Sequence, residues 1–404
     1  MSSQTNQPQV RKRRVFYIPG YDPFPPRRYR ELYRTESQAQ AMISGYDISI
    51  SAKSGDGPFG WHVVSQQEGV DVHTDVAVLV WSDIVRDSMS VSIPATYLQL
   101  IRTAWIYIST GALRRLMRLR KGPVIAAFYP VGMLLLQLIT AGAIAIGATA
   151  LLWSFAGWWG ILPAMAAAYG AMRGFRRIDN RLFAYYLMHD YAYSARLYGA
   201  MSPAIQARLD TFATQIAEAL NSDVDEVLVV GHSSGAHLAV SVLARLIRQN
   251  AVPDPEPALS LLTLGQVMPM VSFLPRAHQL RSDLQVLSAQ QSLTWVDVSA
   301  PGDGCAFALC DPVAVSGVAG HGKRWPLVLS AAFTQTLTPE RWQSLRWRFF
   351  RLHFQYLCAF DRPGRYDYFR ITAGPETLAS RFDGSAPSRS RIETAVSKHV
   401  SVRA

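Results

Sequence analysis

Short apolar runs alternate along this chain with longer segments whose apolar residues recur every three or four positions. That is the signature of strands alternating with helices. Val15-Phe16-Tyr17-Ile18 predicts a buried strand that ends at Pro19-Gly20-Tyr21-Asp22-Pro23, and Arg27–Met42 predicts a helix. Tyr46–Ala52 and Trp61–Ser65 alternate like edge strands on either side of a Gly/Asp/Pro turn at 54–58, and Asp75–Trp81 reads as another buried strand. Ser202-Pro203 marks a helix start, with serine as N-cap and proline in the first turn. Its stripe, Ile205, Leu209, Phe212 and Ile216, runs at spacings of four, three and four. Val227–Val230 is a third buried run, followed by a helix carrying Leu238, Val242, Leu243 and Leu246. Beyond a stiff loop at Pro253–Pro257, Leu259–Leu264 and Leu293–Val298 predict two more strands. The order of elements predicts an α/β fold with a doubly wound, mostly parallel sheet.

One segment breaks this rhythm. From Pro123 to Met172 no residue is charged. A membrane-crossing helix needs about 20 apolar residues, and about fifty residues suffice for two crossings joined by a turn. The expected spans are Val124–Ala148 and Gly157–Met172, with Pro163 as a kink candidate and the turn near Trp153–Trp159, where tryptophans suit the headgroup level. Arg114, Arg115, Arg118, Arg120 and Lys121 precede the segment, and Arg173, Arg176, Arg177 and Arg181 follow it. Basic flanks on both sides predict that both ends stay on the cytoplasmic side of the inner membrane, with the globular part facing the cytoplasm. Met1–Val10 is polar and lacks the apolar core of a signal peptide. Pro94–Arg120 reads as one amphipathic, increasingly basic helix leading into the apolar segment, and Arg173–Ala200 as its return.

Length divides the 404 residues accordingly. A polar basic arm spans 1–14, two halves of one α/β domain span 15–93 and 201–373, an insertion spans 94–200, and a polar tail expected to be disordered spans 374–404. The net charge of +11 comes largely from arginines beside the apolar segment and in the tail, not from a polar groove. Anionic headgroups match that placement better than nucleic acid does, at about 1 kcal/mol per basic residue near the surface. Three cysteines supply neither a disulfide framework nor zinc spacing.

Candidate chemistry sits where the run Val227–Val230 meets Gly231-His232-Ser233-Ser234-Gly235. A Gly-x-Ser-x-Gly turn between strand and helix leaves no room for Cβ atoms beside the serine and lifts its hydroxyl over the sheet end. A serine hydroxyl needs a base, and the base needs an orienting carboxylate. Asp303, in the Ser299–Gly304 turn after a core strand, is the first candidate for the carboxylate, with Asp311 as rival and Asp297 inside the strand less suited. His353, in Leu352-His353-Phe354-Gln355-Tyr356, is the first candidate for the base, with His321 of Gly320-His321-Gly322 as rival and His399 in the tail discounted. His232 and His237 flank the serine as bystanders. Oxyanion donors are expected at the backbone N–H of Ser234 and of Tyr21.

These pieces together resemble the α/β-hydrolases of lipase and esterase type. The resemblance rests on Ile18-Pro19-Gly20-Tyr21, Gly231–Gly235, Pro301-Gly302-Asp303 and His353-x-x-Tyr356, the last similar to the histidine region of class-3-type lipases. It implies a Ser-His-Asp triad and no metal or organic cofactor. The chain departs from the family between Trp81 and Ser202, where an apolar insertion replaces a soluble lid. The expectation is therefore a membrane-anchored serine hydrolase acting on carboxylic esters of lipid-like molecules, with membrane lipids as partners and no role in nucleic-acid binding. A non-catalytic membrane scaffold is the alternative. A transporter subunit is disfavoured, because two uncharged spans offer no polar path. Thr338-Pro339-Glu340 opens a further helix whose arginines and aromatics, Arg341 to Arg351, suit an interface.

Overall fold

The computed structural model describes residues 9–53, 57–253 and 256–403. The polar start at 1–8 and parts of the 54–58 turn and the Pro253–Pro257 loop lie outside the described residues. Among the described residues, eight strands form one sheet. In chain order they are β1 (Lys12–Ile18), β2 (Asp47–Ala52), β3 (Gly60–Gln67), β4 (Val70–Val78), β5 (Glu226–His232), β6 (Ala258–Leu264), β7 (Thr294–Ser299) and β8 (Leu327–Ser330). Their spatial order is β2-β3-β4-β1-β5-β6-β7-β8. From β4 to β8 every neighbouring pair is parallel, while β2, β3 and β4 form an antiparallel meander. The expected mixed α/β architecture with a mostly parallel sheet is present. Residues 12–14, expected in the basic arm, are instead the first residues of β1. Strand β8 had no separate signal, because four residues are too few to establish a period.

Helices cover both faces because strand side chains alternate. Phe16, Ile18, Val227 and Val229 point to one face. There they meet Leu209, Phe212 and Leu243 of the helices Pro203–Leu220 and Gly235–Arg248. Val15, Tyr17, Leu228 and Val230 point to the other, where Tyr29 and Tyr33 of α1 (Arg27–Ser44) and Tyr368 and Phe369 cover them.

The insertion differs from its expected outline. α2 (Ser82–Met89), which had no sequence signal, precedes α3 (Ile93–Ser109). The single helix expected over Pro94–Arg120 stops at Ser109, since Gly111 takes a left-handed conformation at φ 74°, and resumes only as α4 (Ala112–Leu116). The apolar segment forms α5 (Lys121–Ala156), a tight turn at Gly157–Gly160, and α6 (Ile161–Arg177). α5 and α6 pack against each other. The turn falls four residues later than its expected start, at Gly157, the residue whose φ of 51° is costly for other side chains. Pro163 lies in the first turn of α6, where proline is tolerated, and the interior proline is Pro130. The stretch Lys121–Arg177 is long and apolar enough to cross a membrane: its most apolar window of 18 residues has mean hydropathy 2.0 and is 17% buried. α7 (Asp179–Leu182) and α8 (Ala184–Ala195) lead back, and α9 (Pro203–Leu220) follows. α8 packs on α3 and α5 through Tyr185, Met188, Leu100 and Leu134.

The tail at 374–404 was expected to be disordered, but residues 374–403 lie along the domain. Leu378 and Phe382 are buried, Ile392 bridges Cys310, and the Ser401 carbonyl accepts from the Arg281 guanidinium at 2.7 Å. At the foot of the sheet Arg13 and Glu226 form an ion pair at 2.6 Å with both side chains fully buried. Arg13 also donates to the Gly374 carbonyl at 2.7 Å, and Glu226 accepts from Ser260 at 2.6 Å and the Leu378 N–H at 2.8 Å. The tail is thus anchored by the remaining donors and acceptors of a buried charge pair, which sequence periodicity does not record.

Candidate active site

β5 delivers Ser233 to the carboxyl end of the sheet, and α10 (Gly235–Arg248) leaves at once on its other side. The corner between them is held by the Ser233 N–H on the Leu264 carbonyl at 2.9 Å and by the Ala236 N–H on the Ser233 carbonyl at 3.1 Å. Ser233 has φ 56°, a costly conformation for a non-glycine residue, of the kind that collects at functional sites. The flanking glycines are there for space. A Cβ on Gly235 would lie 2.1 Å from the Ile18 carbonyl oxygen, and one on Gly231 would lie 2.7 Å from Ala236 Cα. The β1 loop closes in from the other side, since a Cβ on Gly20 would lie 2.9 Å from Ser233 Cβ. That loop is clamped. Trp81 Nε1 donates to the Pro19 carbonyl at 2.9 Å, and the Tyr186 hydroxyl of α8 donates to the Tyr21 carbonyl.

Asp303 sits in the turn after β7 and His353 ends the short helix Phe349–His353. His353 Nδ1 and Asp303 Oδ2 are 2.7 Å apart. The proton therefore rides on Nδ1 and Nε2 is left as the basic nitrogen. The same carboxylate oxygen accepts from the Tyr356 hydroxyl at 3.0 Å, and Oδ1 accepts from the Cys305 N–H at 2.9 Å. Burial alone would raise the Asp303 carboxyl, but the His353 charge and these hydrogen bonds outweigh it and hold the group below the ordinary carboxylate value. Tyr356 is itself fixed by the Ala300 N–H, which donates to its oxygen at 3.0 Å. The residue pattern gave Tyr356 no part in holding the carboxylate; the available signal was its place one helical turn beyond His353.

Ser233, Ser234, Tyr21 and His353 line one cavity of about 70 Å³. Among the described residues, His353 Nε2 has no hydrogen-bond partner, and neither does the Tyr21 or Ser234 N–H. Ser233 Oγ and His353 Nε2 thus share the cavity without a direct hydrogen bond. His232 donates from Nε2 to the His353 carbonyl at 3.0 Å. Burial, reinforced by His353, lowers its pKa to about 3, so it is a neutral prop beneath the His353 backbone. Asp190 of α8 also lines the cavity, and burial lifts its pKa to about 7. It had no sequence signal, because it reaches the site only through the path of the insertion.

The rival residues lie elsewhere. Asp311 caps the helix Pro312–Val315 by accepting from the Val313 and Ala314 N–H groups at 3.0 Å, and it pairs with Lys323 at 2.6 Å. Asp297 is inside β7 and accepts from Thr263 at 2.6 Å. His321 is exposed on a turn, His399 stays in the tail, and His237 is on α10 outside the Ser233 cavity. The helix expected over Arg341–Arg351 is split into Pro339–Leu345 and Phe349–His353. Its Trp342 lies over Gly302, while Trp347 is exposed.

Donor atoms of Asp303, Cys305 and His353 approach within 4.8 Å of one another, the spacing of a metal site. The donor chemistry fits poorly. Burial pushes the Cys305 thiol well up, with Asp303 and Asp190 adding to it, so the thiolate that a metal requires is disfavoured. Comparison with protein-family models, curated proteins and solved structures finds no match to this chain.

Proposed function

We propose that the chain is a membrane-anchored serine hydrolase of α/β-hydrolase type that cleaves carboxylic esters of lipid-like substrates. The observation that carries this reading is the Asp303–His353 hydrogen bond at 2.7 Å beside a left-handed Ser233 in one cavity. Further support comes from chain order, since nucleophile, acid and histidine follow β5, β7 and β8 in the sequence used by that fold.

Ser233 Oγ attacks the ester carbonyl while His353 Nε2 takes its proton. Asp303 stabilises the resulting imidazolium, and the Tyr21 and Ser234 N–H groups hold the oxyanion. Collapse of the tetrahedral intermediate expels the alcohol, which takes the proton from His353. Water then repeats the sequence on the acyl-enzyme and releases the acid.

In this reading α5 and α6 are a transmembrane hairpin with both ends on the cytoplasmic side of the inner membrane. The apolar length of Lys121–Arg177 and its arginine flanks support this. The missing hydrogen bond between Ser233 and His353 is the observation that would favour a non-catalytic scaffold. A fluorophosphonate probe on the detergent-solubilised full chain separates the two. Labelling of wild type but not of Ser233→Ala supports the enzyme, with ester hydrolysis falling very roughly 10⁶-fold in the variant. A folded wild type that neither labels nor hydrolyses any ester refutes it.

A further inference from the structure

A second cavity, of about 260 Å³, lies under the insertion. Leu100 and Ala104 of α3 and Val124 and Ala127 of α5 form two of its walls, and the surface it exposes is almost wholly apolar. Two residues belong to both cavities: Tyr191 of α8 and Met270 line this one and the one that holds Ser233. These two residues therefore stand between the cavities where the two adjoin. Met270 is an adaptable one, while its own carbonyl accepts from the Tyr107 hydroxyl at 2.9 Å.

The outer side of these walls is apolar too. Leu98, Ile101, Trp105 and Ile108 recur at spacings of three, four and three along α3 and are all exposed. They form a single helix face, and a soluble protein has no use for four large apolar residues in a row there. On α5, Ile125 and Phe128 are exposed, and Ile108 and Phe128 also line the cavity. The cavity thus meets the surface where both helices present apolar side chains.

We propose that this cavity is the acyl-chain site of the enzyme, filled laterally from the bilayer between α3 and α5. The inference rests on the serine hydrolase reading and names its substrate as the ester of a medium or long acyl chain. A bilayer lipid slides one chain between the two helices and displaces Met270 and Tyr191 from the partition. Its ester carbonyl then reaches Ser233 while the headgroup side remains with Asp190 and Tyr21. At roughly 30 Å³ for a water-sized group, the volume holds on the order of eight or nine methylenes.

The test uses the full chain in vesicles of phosphatidylcholine and phosphatidylglycerol, with acetyl and decanoyl p-nitrophenyl esters as probes. Wild type is expected to show a kcat/KM at least about tenfold higher for decanoyl, a low bound for burying several methylenes. Ala127→Trp fills the cavity and should remove that preference while acetyl hydrolysis stays within about twofold. Ala104→Phe, on the opposite wall, gives the same outcome if the first variant folds poorly. A flat chain-length profile overturns the proposal, as does equal loss of both activities in variants that still label with a short fluorophosphonate. A decanoic acid carrying a terminal diazirine gives a readout independent of catalysis. In Ser233→Ala protein it should crosslink to residues lining the cavity, chiefly within 100–108 and 123–131, and crosslinks confined to residues outside the cavity lining overturn the assignment. If Ser233 never labels but the diazirine still maps to α3 and α5, the hydrolase reading has failed while the chain-binding cavity stands.

Discussion

Asp303→Asn tests the geometry most directly. The carboxylate accepts three hydrogen bonds, from His353 Nδ1 at 2.7 Å, the Tyr356 hydroxyl at 3.0 Å and the Cys305 N–H at 2.9 Å. Asparagine preserves the shape but turns one oxygen into a donor. If the amide nitrogen faces His353, it donates to Nδ1 and drives the proton onto Nε2, the atom that must accept from Ser233. If it faces Cys305 instead, two buried N–H donors oppose each other, at a cost of about 1–3 kcal/mol for the unpaired group. In the first arrangement the Tyr356 hydroxyl, which had donated to the same oxygen, turns to accept from the amide, and the imidazole is left in the wrong tautomer, a defect worth about 10⁴ in kcat in a serine protease triad. That corresponds to about 5.4 kcal/mol of transition-state stabilisation. The assay is hydrolysis of a soluble p-nitrophenyl ester by the purified full chain, with melting temperature as a check on folding. The predicted result is a loss near 10⁴ in kcat with the fold retained. A variant that keeps its activity within about tenfold would refute the assignment of Asp303, and a comparable loss in Asp311→Asn instead would transfer the role to that residue.

Two predictions concern the scaffold. Glu226→Ala leaves Arg13 charged and unpaired beneath the sheet, so stability should fall by about 3–5 kcal/mol in urea unfolding. A loss under about 1 kcal/mol would mean that the pair is not buried as described. Burial also raises the Asp297 carboxyl to about 7, so the native state binds its proton more tightly than the unfolded chain does. The stability this contributes is complete below the ordinary carboxylate value of about 3.8 and is lost as pH rises through about 7. Asp297→Asn cannot ionise, so it should melt higher than wild type at pH 8.5, by up to about 4 kcal/mol of stability, and gain much less at pH 4.5. Equal gains at both pH values would contradict a buried, titrating carboxylate.

The chain by itself determined features that depend on neighbours a few residues apart. The short unbroken apolar runs Val15–Ile18 and Val227–Val230, and the helical stripe from Ile205 to Ile216, fix strand and helix because they reflect burial and backbone geometry within one element. The Ser233 corner was legible for the same reason at Gly231, which answers to Ala236 and Ala239 of the helix that follows it, whereas the Ile18 carbonyl that Gly235 answers to lies more than two hundred positions away. The uncharged stretch after Pro123 was visible from composition alone. Tertiary structure alone decided which distant groups meet. Asp303 and Asp311 both follow a strand in glycine- or proline-bearing turns, yet one reaches an imidazole fifty positions on while the other caps a helix. Arg13 finds Glu226 more than two hundred positions away, the tail lies along the domain, and α3, α5 and α8 enclose a cavity none of them outlines separately. Such contacts arise from how whole elements pack, and a run of residues carries no local record of what will be placed against it.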